Sequence, residues 1–123
     1  MKRILVIDDA ATVRMYHRNI LQEAGYAVEE AINGVEALEK ALQTPFDLYL
    51  VDVNMPKLDG YGFLRNLRSQ DVPQAPAIMI STEASNADRQ RAYAAGANLY
   101  LVKPMQPDQL LAPVALLLGE MTL

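Results

Sequence analysis

The chain contains no cysteine, which excludes disulfides, thiol nucleophiles and zinc sites built on Cys. It has one histidine, His17, too few for a histidine metal cluster and a poor basis for Ser-His catalysis. Positive charge is in deficit: 11 Lys and Arg stand against 15 Asp and Glu, a formal net charge of −4. General binding to nucleic acid or to an anionic membrane surface is therefore not expected. No apolar stretch is long enough to span a bilayer. The start, Met1-Lys2-Arg3-Ile4, resembles a secretory leader, but Asp8-Asp9 ends the apolar run far too early for one. Long linkers, low-complexity tracts and sequence repeats are missing too. The expectation is one soluble, cytoplasmic domain over residues 1–123, without membrane insertion. A chain of this size buries roughly two thirds of its unfolded surface and needs no covalent staple.

What is present is a rhythm of short apolar runs and longer amphipathic stretches. Strands are expected at Ile4–Ile7, weakly at Ala27–Ala31, and at Leu48–Val51, Ala77–Ile80 and Leu99–Val102. Helices are expected over Thr12–Ala24, Val35–Gln43, Tyr61–Ser69, Ser85–Ala95 and within Pro107–Leu118. In the first, Val13, Tyr16, Ile20 and Leu21 share the inward face, and Gly25 stops it. In the second, Ala37, Leu38, Ala41 and Leu42 point inward after a turn at Asn33-Gly34. Asp59-Gly60 reads as the entry turn of the third. Near-continuous apolar strands alternating with helices imply an α/β fold with a parallel sheet covered on both faces. Right-handed crossovers leave few topologies. The five-stranded order 2-1-3-4-5 is adopted as the expectation. Ligands in such sheets bind beyond the carboxyl ends of the strands, where the winding reverses.

Those ends carry the chemistry. The first run closes in Asp8-Asp9, the third in Asp52, the fourth in Ser81-Thr82 and the fifth in Lys103-Pro104. Neighbouring first and third strands would bring Asp8, Asp9 and Asp52 together. Two like charges about 4 Å apart repel by about 4 kcal/mol at an effective dielectric near 20. A cation would offset that, and Mg2+ suits a set of oxygen donors. Asp9 and Asp52 would each give one carboxylate oxygen, the Asn54 carbonyl a third, and Asp8 would act directly or through water. The free oxygen of Asp52 can attack phosphorus, since carboxylates form aspartyl phosphates. Lys103 would supply positive charge to phosphoryl oxygens, and Ser81 a hydrogen bond.

Val6-Ile7-Asp8-Asp9, Asp52-Val53-Asn54-Met55-Pro56-Lys57-Leu58-Asp59-Gly60, Ile80-Ser81-Thr82-Glu83, Ala94-Ala95-Gly96-Ala97 and Leu101-Val102-Lys103-Pro104 occur in that order. This set resembles the receiver domain of response regulators of two-component systems, over nearly the whole chain. Asp9-Ala10-Ala11-Thr12-Val13-Arg14 and His17-Arg18-Asn19-Ile20-Leu21 are similar to the single-domain chemotaxis type. The resemblance implies that Asp52 accepts phosphate from a histidine kinase. It implies Mg2+ on Asp8, Asp9, Asp52 and the Asn54 carbonyl. Ser81 is then the switch hydroxyl and Tyr100 the switch aromatic that turns inward. Lys103 contacts the phosphoryl group, and its bond to Pro104 is usually cis. Asn54 and Glu83 fall at the two positions that tune phosphoryl lifetime, and their polarity implies a lifetime of seconds to minutes.

The output implied is contact with a downstream protein target through the face around Tyr100, from a monomer or weak dimer, without a DNA-binding domain. It is a phosphoacceptor switch rather than an enzyme. Two alternatives share some of the chemistry: a phosphorelay intermediate and a Mg2+-dependent phosphatase with an aspartyl nucleophile. The phosphatase usually has a second aspartate two residues on, where this chain has Asn54. A third alternative is a receiver that acts unphosphorylated, by binding alone. Blander roles are strand-end capping for Asp8-Asp9, snorkelling for Lys103 and plain packing for Tyr100. His17, beside Arg14 and Arg18, reads as exposed. Pro113 interrupts the last apolar stretch, which either kinks there or restarts with Pro113 in its first turn. An exposed leucine patch at Leu116 would serve a partner or a dimer.

Overall fold

The computed structural model describes residues 1–120. Strands and helices alternate: β1 (Arg3–Ile7), α1 (Ala11–Glu23), β2 (Ala27–Ala31), α2 (Gly34–Gln43), β3 (Leu48–Asp52), α3 (Gly60–Ser69), β4 (Ala77–Ser81), α4 (Asn86–Ala95), β5 (Leu99–Val102) and α5 (Pro107–Leu117). The five strands are parallel in the order β2-β1-β3-β4-β5, as expected. Every residue of β3 and β4 is buried, because both faces of the inner sheet are covered. The weak strand β2 lies at an edge, where the charged side chains of Glu29 and Glu30 are tolerated.

Successive strand residues point to opposite faces, so the sheet divides the apolar residues into two cores. Leu5, Ile7, Tyr49, Val51 and Met79 pack with Ala37, Phe63, Leu67 and Ala92 from α2, α3 and α4. Ile4, Val6, Leu50, Ile78 and Ile80 pack with Leu21, Leu110 and Val114 from α1 and α5. Asn33, Asp59 and Ser85 cap α2, α3 and α4 by accepting from the amides of Glu36, Gly62 and Asp88. Such caps contribute about 1 kcal/mol each. Gly96 ends α4 in the left-handed region, at φ 114°, which favours glycine.

Several side chains depart from the sequence expectation. His17 is not exposed but 2% accessible, while Tyr16 and Leu42, expected inward, are 43% and 41% exposed. Val13, His17 and Leu21 are spaced by four and form the inward stripe of α1, which leaves Tyr16 on its flank. Tyr16 instead donates its hydroxyl to the Met105 carbonyl at 2.9 Å. Pro113 does not restart a helix, because α5 runs unbroken from Pro107, itself in the first turn, to Leu117. Leu116 is 58% exposed, so the apolar end of α5 is not all consumed by the core.

Candidate functional site

The carboxyl ends of β1 and β3 lie side by side, with Ile7 paired to Val51. Chain continuation past that register carries Asp8 and Asp9 up beside Asp52. One carboxylate oxygen from each of the three residues falls within 4.8 Å of the others. Asp8 and Asp52 are buried and Asp9 faces solvent. The backbone around them is fixed: the Asp8 amide donates to the Ala31 carbonyl at 3.1 Å and the Val53 amide to that of Ile80 at 3.0 Å. Gly60 packs against the end of β3 so closely that a Cβ there would lie 2.4 Å from the Asp52 carbonyl oxygen. The Gly60 amide in turn donates to the Val53 carbonyl at 2.9 Å. The loop between them holds Lys57 at φ 70°, an uncommon conformation for a non-glycine residue.

Lys103 reaches the cluster from the end of β5. Its Nζ donates to Asp52 Oδ1 at 2.9 Å and to Asp8 Oδ2 at 3.2 Å. Its amide donates to the Ser81 carbonyl at 2.8 Å, and the Lys103–Pro104 bond is cis. Burial pushes the Asp52 carboxyl above its ordinary value; the Lys103 ammonium opposes this and the Asp8 charge adds to it. Burial alone would lower Lys103, but its bonds to Asp52 and Asp8 outweigh that and hold the ammonium above the usual lysine range. Hard oxygen donors with this surplus of negative charge fit Mg2+. Asp8 Oδ1 is committed to the Ala10 amide at 2.9 Å, whereas Asp52 Oδ2 makes no hydrogen bond among the described residues. Asp52 therefore has an oxygen available beyond the one Lys103 holds.

Ser81 is buried at the end of β4 and its Oγ accepts from the Glu83 amide at 3.1 Å, while Thr82 is exposed. Tyr100 is inward, 4% accessible, with its hydroxyl donating to the Glu83 carbonyl at 2.7 Å. The guanidinium of Arg89 lies 5.2 Å from its ring centroid. Asn54 and Glu83 are exposed. The structure thus joins Asp8, Asp9, Asp52 and Lys103 directly, with Ser81, Glu83 and Tyr100 linked beside them. Sequence reasoning overlooked Arg14, whose Nη1 donates to the Asp8 carbonyl at 2.7 Å. Its signal was an arginine five residues past Asp9, in the first turns of the following helix.

A doubly wound sheet with an acid cluster and a lysine at its winding reversal defines a class of phosphoacceptor modules. The response regulator receiver domain model matches residues 4–115, and the chain belongs to that family. Receiver domains are the phosphoacceptor switches of two-component systems, phosphorylated on an aspartate with Mg2+, and generally are not enzymes. They interact with histidine kinases and with downstream targets. The chain is 38% identical to the chemotaxis protein CheY of Thermotoga maritima, over 88% of this chain and 90% of that one. It is also 38% identical to the transcriptional regulatory protein ResD of Bacillus subtilis, over 94% of this chain, and spans about half, 48%, of that relative's length. The structure of CheY4 from Vibrio cholerae superposes with a TM-score of 0.90 at 39% identity, covering 95% of this chain and 98% of the other. The receiver domain of the sensor histidine kinase PA1611 of Pseudomonas aeruginosa, with a magnesium ion coordinated in its active site cleft, gives 0.89 at 29% identity, covering 96% and 98%. No helix among the described residues is long and apolar enough to cross a membrane.

Proposed function

We propose that this chain works as a response regulator receiver whose phosphoacceptor is Asp52. The observation that carries the reading is Lys103, whose ammonium bridges Asp8 and Asp52 across 95 and 51 residues of sequence. In the proposed reaction, a carboxylate oxygen of Asp52 forms the O–P bond as the N–P bond to the kinase histidine breaks. The departing imidazole keeps the electron pair and takes a proton. Asp8, Asp9, Asp52 and the Asn54 carbonyl would hold Mg2+, which neutralises charge on the phosphoryl oxygens. Lys103 stays positively charged throughout, since its partners raise its affinity for the proton. It can transfer its contact from Asp52 to the incoming phosphoryl oxygens. The new group adds about −1.5 to −2 charges, enough to draw the Ser81 hydroxyl from the Glu83 amide it now accepts from.

Movement there reaches Tyr100, which already rests on the Glu83 carbonyl. Phosphorylation would then shift an existing equilibrium of the Glu83 loop and the α4–β5–α5 face, which a target protein reads. Likeness along nearly the full length of CheY chains supports a target in chemotaxis or motility control. Exposed polar side chains at Asn54 and Glu83 can position an attacking water, which supports a phosphoryl lifetime of seconds to minutes. The test is intact-protein mass after incubation with a small phosphodonor and Mg2+. One added phosphoryl is expected on the wild type, and none on Asp52→Asn or with chelator present. No phosphoryl on the wild type would overturn the reading.

A further inference from the structure

Arg14 occupies an unusual place between the acid cluster and the edge of the sheet. Its Nη1 donates to the Asp8 carbonyl at 2.7 Å, and its Nε donates to Glu30 Oε1 at 2.8 Å. Glu30 belongs to β2, opposite Val6 in β1, two residues before Asp8. The second oxygen of Glu30 accepts from Arg18 Nη1 at 2.7 Å, and its backbone carbonyl accepts from Lys40 on α2. One carboxylate therefore anchors two arginines of α1. Burial pushes the Glu30 carboxyl up, but Arg18 and Arg14 outweigh it and keep the group ionised below the usual range. Arg14 is the better shielded of the two, with 15% of its side chain exposed against 31% for Arg18.

We propose that Arg14 is a positioning residue for the cation site, clamping the Asp8 carbonyl to Glu30 and so fixing where the Asp8 and Asp9 carboxylates point. The inference rests on the magnesium reading above and deepens it. The link between β1 and α1 spans residues 8–10. Its local bonds are the Asp8 amide to the Ala31 carbonyl, the Ala10 amide to Asp8 Oδ1 and the Arg14 amide to the Ala10 carbonyl. None of them restrains the Asp8 peptide carbonyl, on whose plane the Asp9 backbone depends. Arg14 supplies that restraint, and Glu30 keeps its guanidinium from swinging onto the carboxylates, where it would compete with a cation. Partners that orient metal ligands characteristically change affinity by about 10-fold or more when removed.

Arg18 provides the control. It shares the Glu30 carboxylate but makes no contact with the Asp8 carbonyl. The experiment titrates Mg2+ alone into metal-free wild type, Arg14→Ala, Arg14→Lys and Arg18→Ala by calorimetry. It also measures backbone amide order parameters at Asp9 and Ala10 before metal is added. Arg14→Ala is expected to raise the Mg2+ Kd by about 10-fold and to lower both order parameters. Arg18→Ala should change Kd by less than about two-fold and leave the order parameters at wild-type values, because it touches only the far side of the clamp. Arg14→Lys should fall between, since one ammonium reaches the carbonyl or Glu30 but not both in fork geometry. Equal effects of Arg14→Ala and Arg18→Ala, or an unmoved loop in Arg14→Ala, would overturn the proposal. A wild type that binds no Mg2+ would sink the magnesium reading itself, and the proposal of a cation-site clamp with it.

Discussion

Replacing Lys103 by methionine keeps most of the side-chain volume and removes the one ammonium that Asp8 and Asp52 share. The two contacts, at 3.2 Å and 2.9 Å, are each worth about 5 kcal/mol of gross attraction at an effective dielectric near 20. Desolvation of the three groups offsets much of this, and breaking a buried pair by removing one partner costs about 3–5 kcal/mol. The Lys103 side chain is 16% exposed against 1% and 7% for its partners, so some solvent screening remains and the lower end, about 3 kcal/mol, is expected. The sign with pH follows from the same groups. Without the ammonium, burial and the Asp8 charge drive the Asp52 carboxyl further up with nothing from Lys103 to oppose them, so the native state binds more protons than the unfolded chain. The penalty is then small near pH ~4 and grows as pH rises to neutrality. Urea unfolding in metal-free buffer reads it directly. At pH ~7 the midpoint should fall by about 1–2 M, with an unchanged slope. The penalty should shrink in Mg2+ and should also shrink in an Asp52→Asn background, where one of the two orphaned charges is gone. A loss of the same size at both pH values, and additive with Asp52→Asn, would refute the account of Lys103 as counter-charge and leave it a packing residue.

Asp52→Asn itself should stabilise the metal-free protein at neutral pH, because it removes a carboxylate that burial holds above its ordinary value and leaves Lys103 paired with Asp8. Asp52 has its folded value raised, so its unfavourable contribution vanishes as pH falls to the ordinary carboxylate range. The advantage of the variant should close over the same interval in thermal unfolding. His17 acts with the opposite sign. Burial holds its imidazole below the ordinary value, Asp8 opposing and Lys103 assisting, so stability is present above pH ~6.5 and is lost as pH falls. Measured in the Asp52→Asn background, His17→Phe should flatten a slope of at most about 1.4 kcal/mol per pH unit; an unchanged slope would refute the neutral buried imidazole. Gly60→Ala places a Cβ 2.4 Å from the Asp52 carbonyl oxygen and 3.1 Å from Val51 Cγ1. Overpacking of this kind costs about 1–3 kcal/mol and should slow phosphoryl uptake by displacing Asp52, the proposed acceptor, read by mass after timed exposure to phosphodonor.

The elements were legible because their signals are local. Four-residue apolar runs, the capping residues Asn33, Asp59 and Ser85, and Gly25 and Gly96 each act within one helical turn or one strand. Side-chain depth was less legible. Periodicity says which residues share a face of α1 but not how wide the covered stripe is. Hydrophobicity put Tyr16 inside and His17 outside, although His17 lies in line with Val13 and Leu21. Leu42 was misplaced for a related reason, since the covered stripe of α2 takes in Ala37 and Ala41 and leaves Leu42 beside it, 41% exposed.

By itself the sequence determined that four strand ends carry carboxylates, a hydroxyl and an amine, because a parallel sheet buried on both faces demands apolar runs that stop where chemistry begins. Which ends meet was a matter for the tertiary structure. Only the order β2-β1-β3-β4-β5 and its register set Asp8 and Asp9 against Asp52 and bring in Lys103 from 95 residues beyond Asp8. Only packing of α1 on β2 made Arg14, Arg18 and Glu30 a single anchor. Contacts between residues far apart in the chain leave no periodicity to read, since their spacing is set by loop lengths and crossovers rather than by the turn of a helix or the pleat of a strand.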